Sequence, residues 1–277
     1  MNDARRQEGS ESACRKGSGI GVRRPESTPA LKTARLTHLS TYNHAVIPEA
    51  IEDQRLVLLI GDEIGRSMRA RIVDRLEAAD VPFRPAVVGC DRPFPGFEAV
   101  ADAMTELLQT FRPHVAHVAV GRDDLRRTLE SDGVSHPARR LADIRRDLNR
   151  IIDAAKQSAD TDVVLSTVAA VRDDVQEEIR DDDVDRLNVV IREVGQRRDV
   201  LVDRWDRAID RRPEGPDHLL PDGRGLSSNG LDLVASSTTT AIVDALIRAE
   251  NPWNRLTRIG RGGPLDGIPR PRHPELS

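Results

Sequence analysis

Cysteine is scarce in this 277-residue chain, with Cys14 and Cys90 standing 76 positions apart. Two such residues cannot make a disulfide framework, nor a zinc site by themselves. Lysine is nearly absent as well: Lys16, Lys32 and Lys156 are the only three among 42 basic residues. An arginine bias of that size more often reflects the base composition of a genome than recognition chemistry. Aromatics make up 3% and hydrophobic residues in all 38%, yet the length still leaves enough chain for a real core. No run of 18 apolar residues occurs, so no membrane-spanning helix is expected. The arginines near the N-terminus have no apolar stretch behind them, which argues against a secretory signal. These absences predict a soluble, cytoplasmic protein that binds no membrane.

The charge that is present is unevenly spread. The formal net charge is −4, but residues 1–50 carry +3 and residues 251–277 carry +3, so the intervening 200 residues hold −10. An acidic body between weakly basic tails is a poor nucleic-acid binder, because holding a phosphate backbone needs clustered cations. Residues 1–40 are rich in Ser, Gly, Arg and Glu and read as a disordered polar tail, with 41–54 as a lead-in. Residues 250–277 form a second tail, dense in Gly, Pro and Arg. One folded domain is expected over 55–249.

Within that domain short apolar runs alternate with longer amphipathic segments. The runs at 56–60, 85–88, 115–120, 163–168 and 200–202 are rich in β-branched residues, as befits strands buried on both faces of a parallel sheet. Helical periodicity follows them over 66–79, 97–108, 141–155, 184–194 and 237–248. In the third of these, Ile144, Leu148, Ile151 and Ile152 recur on one face. The pattern predicts an α/β fold: a five-stranded parallel sheet in a three-layer α/β/α arrangement. Function in such sheets gathers at the carboxyl ends of the strands.

Three strand ends carry candidate chemistry. The first runs Leu59-Ile60-Gly61-Asp62-Glu63-Ile64-Gly65 into a helix. It is neither a dinucleotide fingerprint, since the G-x-G-x-x-G spacing is absent, nor a phosphate loop, since no Gly-Lys-Ser/Thr follows. The third strand ends in Gly121-Arg122-Asp123-Asp124. Before the last helix comes Pro221-Asp222-Gly223-Arg224-Gly225-Leu226-Ser227-Ser228-Asn229-Gly230. In order and spacing these elements resemble the SGNH (GDSL-type) hydrolase superfamily, with its Gly-Asp-Ser, Gly-x-Asn-Asp and Asp-x-x-His blocks. The resemblance covers about 55–249 and implies that the three-layer arrangement is flavodoxin-like; Asn188 followed by the 200–203 strand and Asp203 fits it too.

Residue by residue, the resemblance implies a degenerate site. The nucleophilic serine falls on Glu63, the oxyanion glycine on Gly96, the oxyanion asparagine on Asp123 and the histidine on Gly225. The supporting aspartate is retained as Asp222. Acyl transfer needs a hydroxyl nucleophile, an imidazole base and a carboxylate to orient it. Glycine supplies no base, and an ionised Asp123 would repel the oxyanion that an amide stabilises. The expectation is therefore a binding or regulatory module with no cofactor and no metal. Its ligand site would comprise Asp62, Glu63, Gly96, Asp123, Asp222 and Arg224. A small molecule, or an acyl or carbohydrate group, is the expected ligand class, and the protein partner is unknown. The alternative is a divergent esterase with a relocated nucleophile (Ser67, with His218 as base) or a carboxylate/metal site. Two plainer readings stand beside these. Asp62 and Asp124 can be structural, bonding to the amides of their own turns, and Glu63 can be neutralised by Arg224.

Overall fold

All five apolar runs become strands of one parallel sheet. The computed structural model describes residues 54–90, 93–129, 135–158, 161–170, 178–209, 218–220 and 225–250. The expected tails and nearly all of the 41–54 lead-in lie outside these residues. In chain order the elements are β1 (Gln54–Gly61), α1 (Glu63–Ala78), β2 (Arg84–Gly89), α2 (Phe97–Phe111), β3 (Val115–Ala119), β4 (Arg127–Leu129) and β5 (Ser135–Pro137). They continue with α3 (Leu141–Gln157), β6 (Asp162–Ser166), α4 (Asp181–Arg198), β7 (Leu201–Asp203), α5 (Trp205–Ala208) and α6 (Ser228–Glu250). The sheet order is β2-β1-β3-β6-β7, with β4 and β5 forming a separate antiparallel pair. Register runs Val57↔Val115 to Gly61↔Ala119 between β1 and β3, and Val115↔Asp162 onward between β3 and β6.

The sheet is apolar on both faces, as its sequence demands. Val57, Leu59, Val115 and Val164 face α1 and α6, whose Met68, Ile72, Leu76, Val234 and Ile242 are buried against them. The alternate residues Leu58, Ile60, Ala116 and Val118 are fully buried on the other side, toward α2, α3 and α4. α6 is long and apolar enough by composition to cross a membrane. Its buried stripe, including Val234, Thr238, Ile242 and Leu246, is spent on the sheet and α1 instead. α4 starts earlier than its apolar period suggested, because Asp181, Asp182 and Asp183 occupy its first turn, where they complement the helix dipole. Asp183 is buried there and pairs with Arg127 of β4.

Two features were not expected. The β4–β5 hairpin has no apolar run to announce it. His117, in the middle of β3, is buried. Its Nε2 lies 3.0 Å from Asp203 Oδ2 at the end of β7. The same oxygen accepts from Trp205 Nε1 at 2.8 Å and Thr238 Oγ1 at 2.6 Å, while Ser237 Oγ donates to Oδ1 at 2.5 Å. Burial raises the Asp203 carboxyl, but the His117 bond and charge and the two hydroxyls outweigh it and hold the group below its ordinary value. This cluster ties β3, β7, α5 and α6 together. Asn188 does the same for α4: its amide accepts from the Val168 amide at 2.8 Å and donates to the Val168 carbonyl at 2.9 Å.

Candidate functional site

At the carboxyl end of β1 the chain must turn at once into α1, and Asp62 makes that turn. Its Oδ1 accepts from the amides of Ile64 at 3.0 Å and Gly65 at 3.2 Å, capping the helix. Its own amide donates to Ala119 at the end of β3. Burial pushes the Asp62 carboxyl up to about 6, against the lowering influence of the Gly65 amide and the Arg122 charge. The next residue, Glu63, is turned to solvent, and its carboxylate makes no hydrogen bond or ion pair with a described residue.

The end of β3 repeats the arrangement. Gly121 holds a φ of 130°, a conformation natural only to glycine, and a side chain there would collide with Phe97 and Val168. The chain then enters a single 3₁₀ turn, Asp123–Leu125. Asp124 is buried and accepts from the Phe97 amide at 3.0 Å, which tethers the start of α2. Gly96 must be glycine for that reason: a Cβ would lie 2.5 Å from Asp124 Oδ1. Arg139 bridges Asp124 at 3.4 Å to the buried Asp147 of α3 at 2.6 Å. Asp123 faces outward, with only an exposed contact to Arg126 at 3.4 Å. Each strand-end motif thus has one carboxylate bound to backbone amides and a neighbour that faces outward.

The third element returns just before α6. Leu219 and Leu226 form an isolated antiparallel bridge, and Ser227 Oγ accepts from the Gly230 amide to cap the helix. Gly225 stands between them. A Cβ at 225 would meet Leu220 Cδ1 at 2.6 Å, so the leucine side chain lies over the place where a side chain at 225 would begin. Leu220 is also 41% exposed.

These segments surround a cleft of about 540 Å³. Asp62, Glu63, Asp123 and Gly225 all line it, joined by Arg122, Arg126 and Glu178 and by an apolar side that includes Leu220, Leu226 and Leu231. Gly96 is buried and does not line it; Asp222 and Arg224, and with them any Glu63–Arg224 pair, lie outside the described residues. Ser67 does reach the cleft, but its hydroxyl donates to the Glu63 carbonyl at 2.9 Å. His218 is buried and is not among the lining residues. Among the described residues no group of three His, Cys, Asp or Glu side chains could hold a metal.

The Asp62 environment has a measurable consequence. Because its folded-state value is raised, its contribution to stability is fully present below about pH 3.8 and is lost as the pH rises through about 6. Asp62→Asn keeps a capping oxygen and is expected to remove that step from the stability–pH curve between pH 4 and 6. A carboxyl NMR titration of the unsubstituted protein should show the same group changing near pH 6.

No protein-family profile and no curated protein matches the chain. Solved structures do match its shape. A lipase/acylhydrolase from Enterococcus faecalis aligns with a TM-score of 0.55 at 19% identity, covering 69% of this chain and 96% of its own. A GDSL-like lipase from Bacteroides thetaiotaomicron gives 0.54 at 13%, covering 76% and 98%. An acetyl xylan esterase gives 0.54 at 15%, covering 68% and 99%. The chain therefore has the fold of the SGNH, or GDSL-like, hydrolases, and Glu63 and Gly225 line its cleft.

Proposed function

We propose that this protein is a binding module built on the SGNH-hydrolase fold and does not carry out acyl transfer. The observation that carries the reading is that positions 63 and 225 line one cleft as Glu63 and Gly225. A carboxylate attacking an ester would yield a short-lived mixed anhydride, and glycine offers no base to activate water or a hydroxyl. Asp123 adds negative charge where an oxyanion would need a donor, and loss of one such donor costs roughly 10²–10³ in rate. The cleft of about 540 Å³ leaves room for a small ligand. Lipases and an acetyl xylan esterase among the structural neighbours make acyl or carbohydrate compounds reasonable first ligands to screen.

One observation favours a second reading, a divergent esterase: Ser67 lines the cleft. Its hydroxyl is committed to the Glu63 carbonyl, and the candidate base His218 is buried and is not among the lining residues, which is why the first reading is preferred. The two are separated by reactivity. The protein is expected to hydrolyse p-nitrophenyl acetate no faster than buffer and to take no label from a fluorophosphonate. Turnover abolished by Ser67→Ala or His218→Ala would establish the esterase instead.

A further inference from the structure

We propose that the cleft binds a small amphipathic cation, an ammonium group on an apolar body, with Glu63 as its counter-ion and Leu220, Leu226 and Leu231 as its apolar wall. This rests on the reading of the cleft as a binding site. Three observations lead to it. First, the carboxylates are unequally engaged. Asp62 is held by two amides and acted on by the Arg122 charge, and Asp123 is in contact with Arg126. Glu63 alone of these three makes no bond to a described residue, so a ligand cation can reach it without breaking a pair among the described residues.

Second, among the described lining residues acidic groups are in surplus: Asp62, Glu63, Asp123 and Glu178 against Arg122 and Arg126. An anionic ligand would meet that surplus as repulsion, whereas a cation would be drawn to it. Third, Leu220 is one of four large apolar side chains left substantially exposed among the described residues, and it lies over Gly225, at the rim next to Leu226. An apolar ligand body would cover it. The two halves of the site select together, because a hydrated metal ion would gain nothing from the leucines and a neutral lipid nothing from Glu63.

The test is calorimetric titration of the full chain at low salt with octylammonium, octanol and octanoate. Octylammonium is expected to bind at least about tenfold more tightly than octanol, as a charge-assisted hydrogen bond implies, and octanoate not to bind. Glu63→Gln, a substitution at an exposed position, should erase the advantage of octylammonium over octanol. Leu220→Ser should weaken both ligands alike. Octanoate binding as well as octylammonium, an unchanged preference in Glu63→Gln, or binding that arises only after Arg224→Gln would each overturn the proposal. Failure here leaves the absence of acyl transfer untouched, since that reading falls only with ester turnover or fluorophosphonate labelling.

Discussion

Glu63→Ser, Asp123→Asn and Gly225→His, introduced together, are expected to create a protein that a fluorophosphonate labels at position 63 and that hydrolyses p-nitrophenyl acetate. The rate should exceed that of the unsubstituted chain by on the order of 10³. Positions 63, 123 and 225 face one cleft, the Asp62 cap and the Asp124 tether hold the two loops, and Asp222 follows the motif of the supporting carboxylate. Among the described residues an obstacle is Leu220, whose Cδ1 lies 2.6 Å from a Cβ at 225. The contact is with the far end of a flexible, 41% exposed side chain, so the leucine can swing aside at small cost. Omitting Gly225→His should leave position 63 unlabelled, because a serine without a base is a weak nucleophile. A folded triple variant with neither label nor turnover would show that more than these three residues separates this cleft from an acyl-transfer site.

Asp203→Ala is expected to cost about 3–5 kcal/mol, because it strips several buried donors of the carboxylate they share. It would leave His117 Nε2, Trp205 Nε1 and the hydroxyls of Ser237 and Thr238 facing an empty acceptor in a dry interior. For a domain of this size the melting temperature should fall by about 10 °C or more, and the urea midpoint should fall with it. Asp203→Asn, which keeps one acceptor oxygen, should lose roughly half as much. A loss below about 1 kcal/mol for the alanine would mean that α6 is held by its apolar stripe alone. The pH dependence runs opposite to that of Asp62. Because the Asp203 value is depressed, its contribution is present above the ordinary carboxylate range and is lost as the pH falls through its folded-state value.

What the amino-acid order made readable is what depends on local pattern. The five strands were legible because each is apolar on successive positions, and α2 and α3 because their buried residues recur at helical spacing. The capping role of Asp62 was visible for the same reason: a carboxylate between a strand and a helix has few better uses. The β4–β5 hairpin was not legible, since Arg127, Thr128, Ser135, His136 and Pro137 carry no periodic signal and are held by Arg127 reaching Ser135 and Asp183. The polar cluster around Asp203 was missed because its members come from β3, β7, α5 and α6 and meet only once the sheet order places β3 two strands from β7. Leu220 over Gly225 is likewise a tertiary fact. The sequence shows a glycine at 225, but only packing shows that an apolar group lies over it.

The pairing of one bound and one outward carboxylate at each strand end has an evolutionary consequence. Asp62 and Asp124 are anchored to backbone amides, so changes there disturb the turn itself, whereas Glu63 and Asp123 are exposed and can change with little effect on stability. Adjacent letters of the same motif are therefore constrained differently, one by the architecture of the turn and the other only by what the cleft is used for. A lineage can exchange the second kind repeatedly, passing from catalyst to receptor and back, without crossing a stability threshold. Its descendants would keep a common shape long after their sequences had stopped resembling one another.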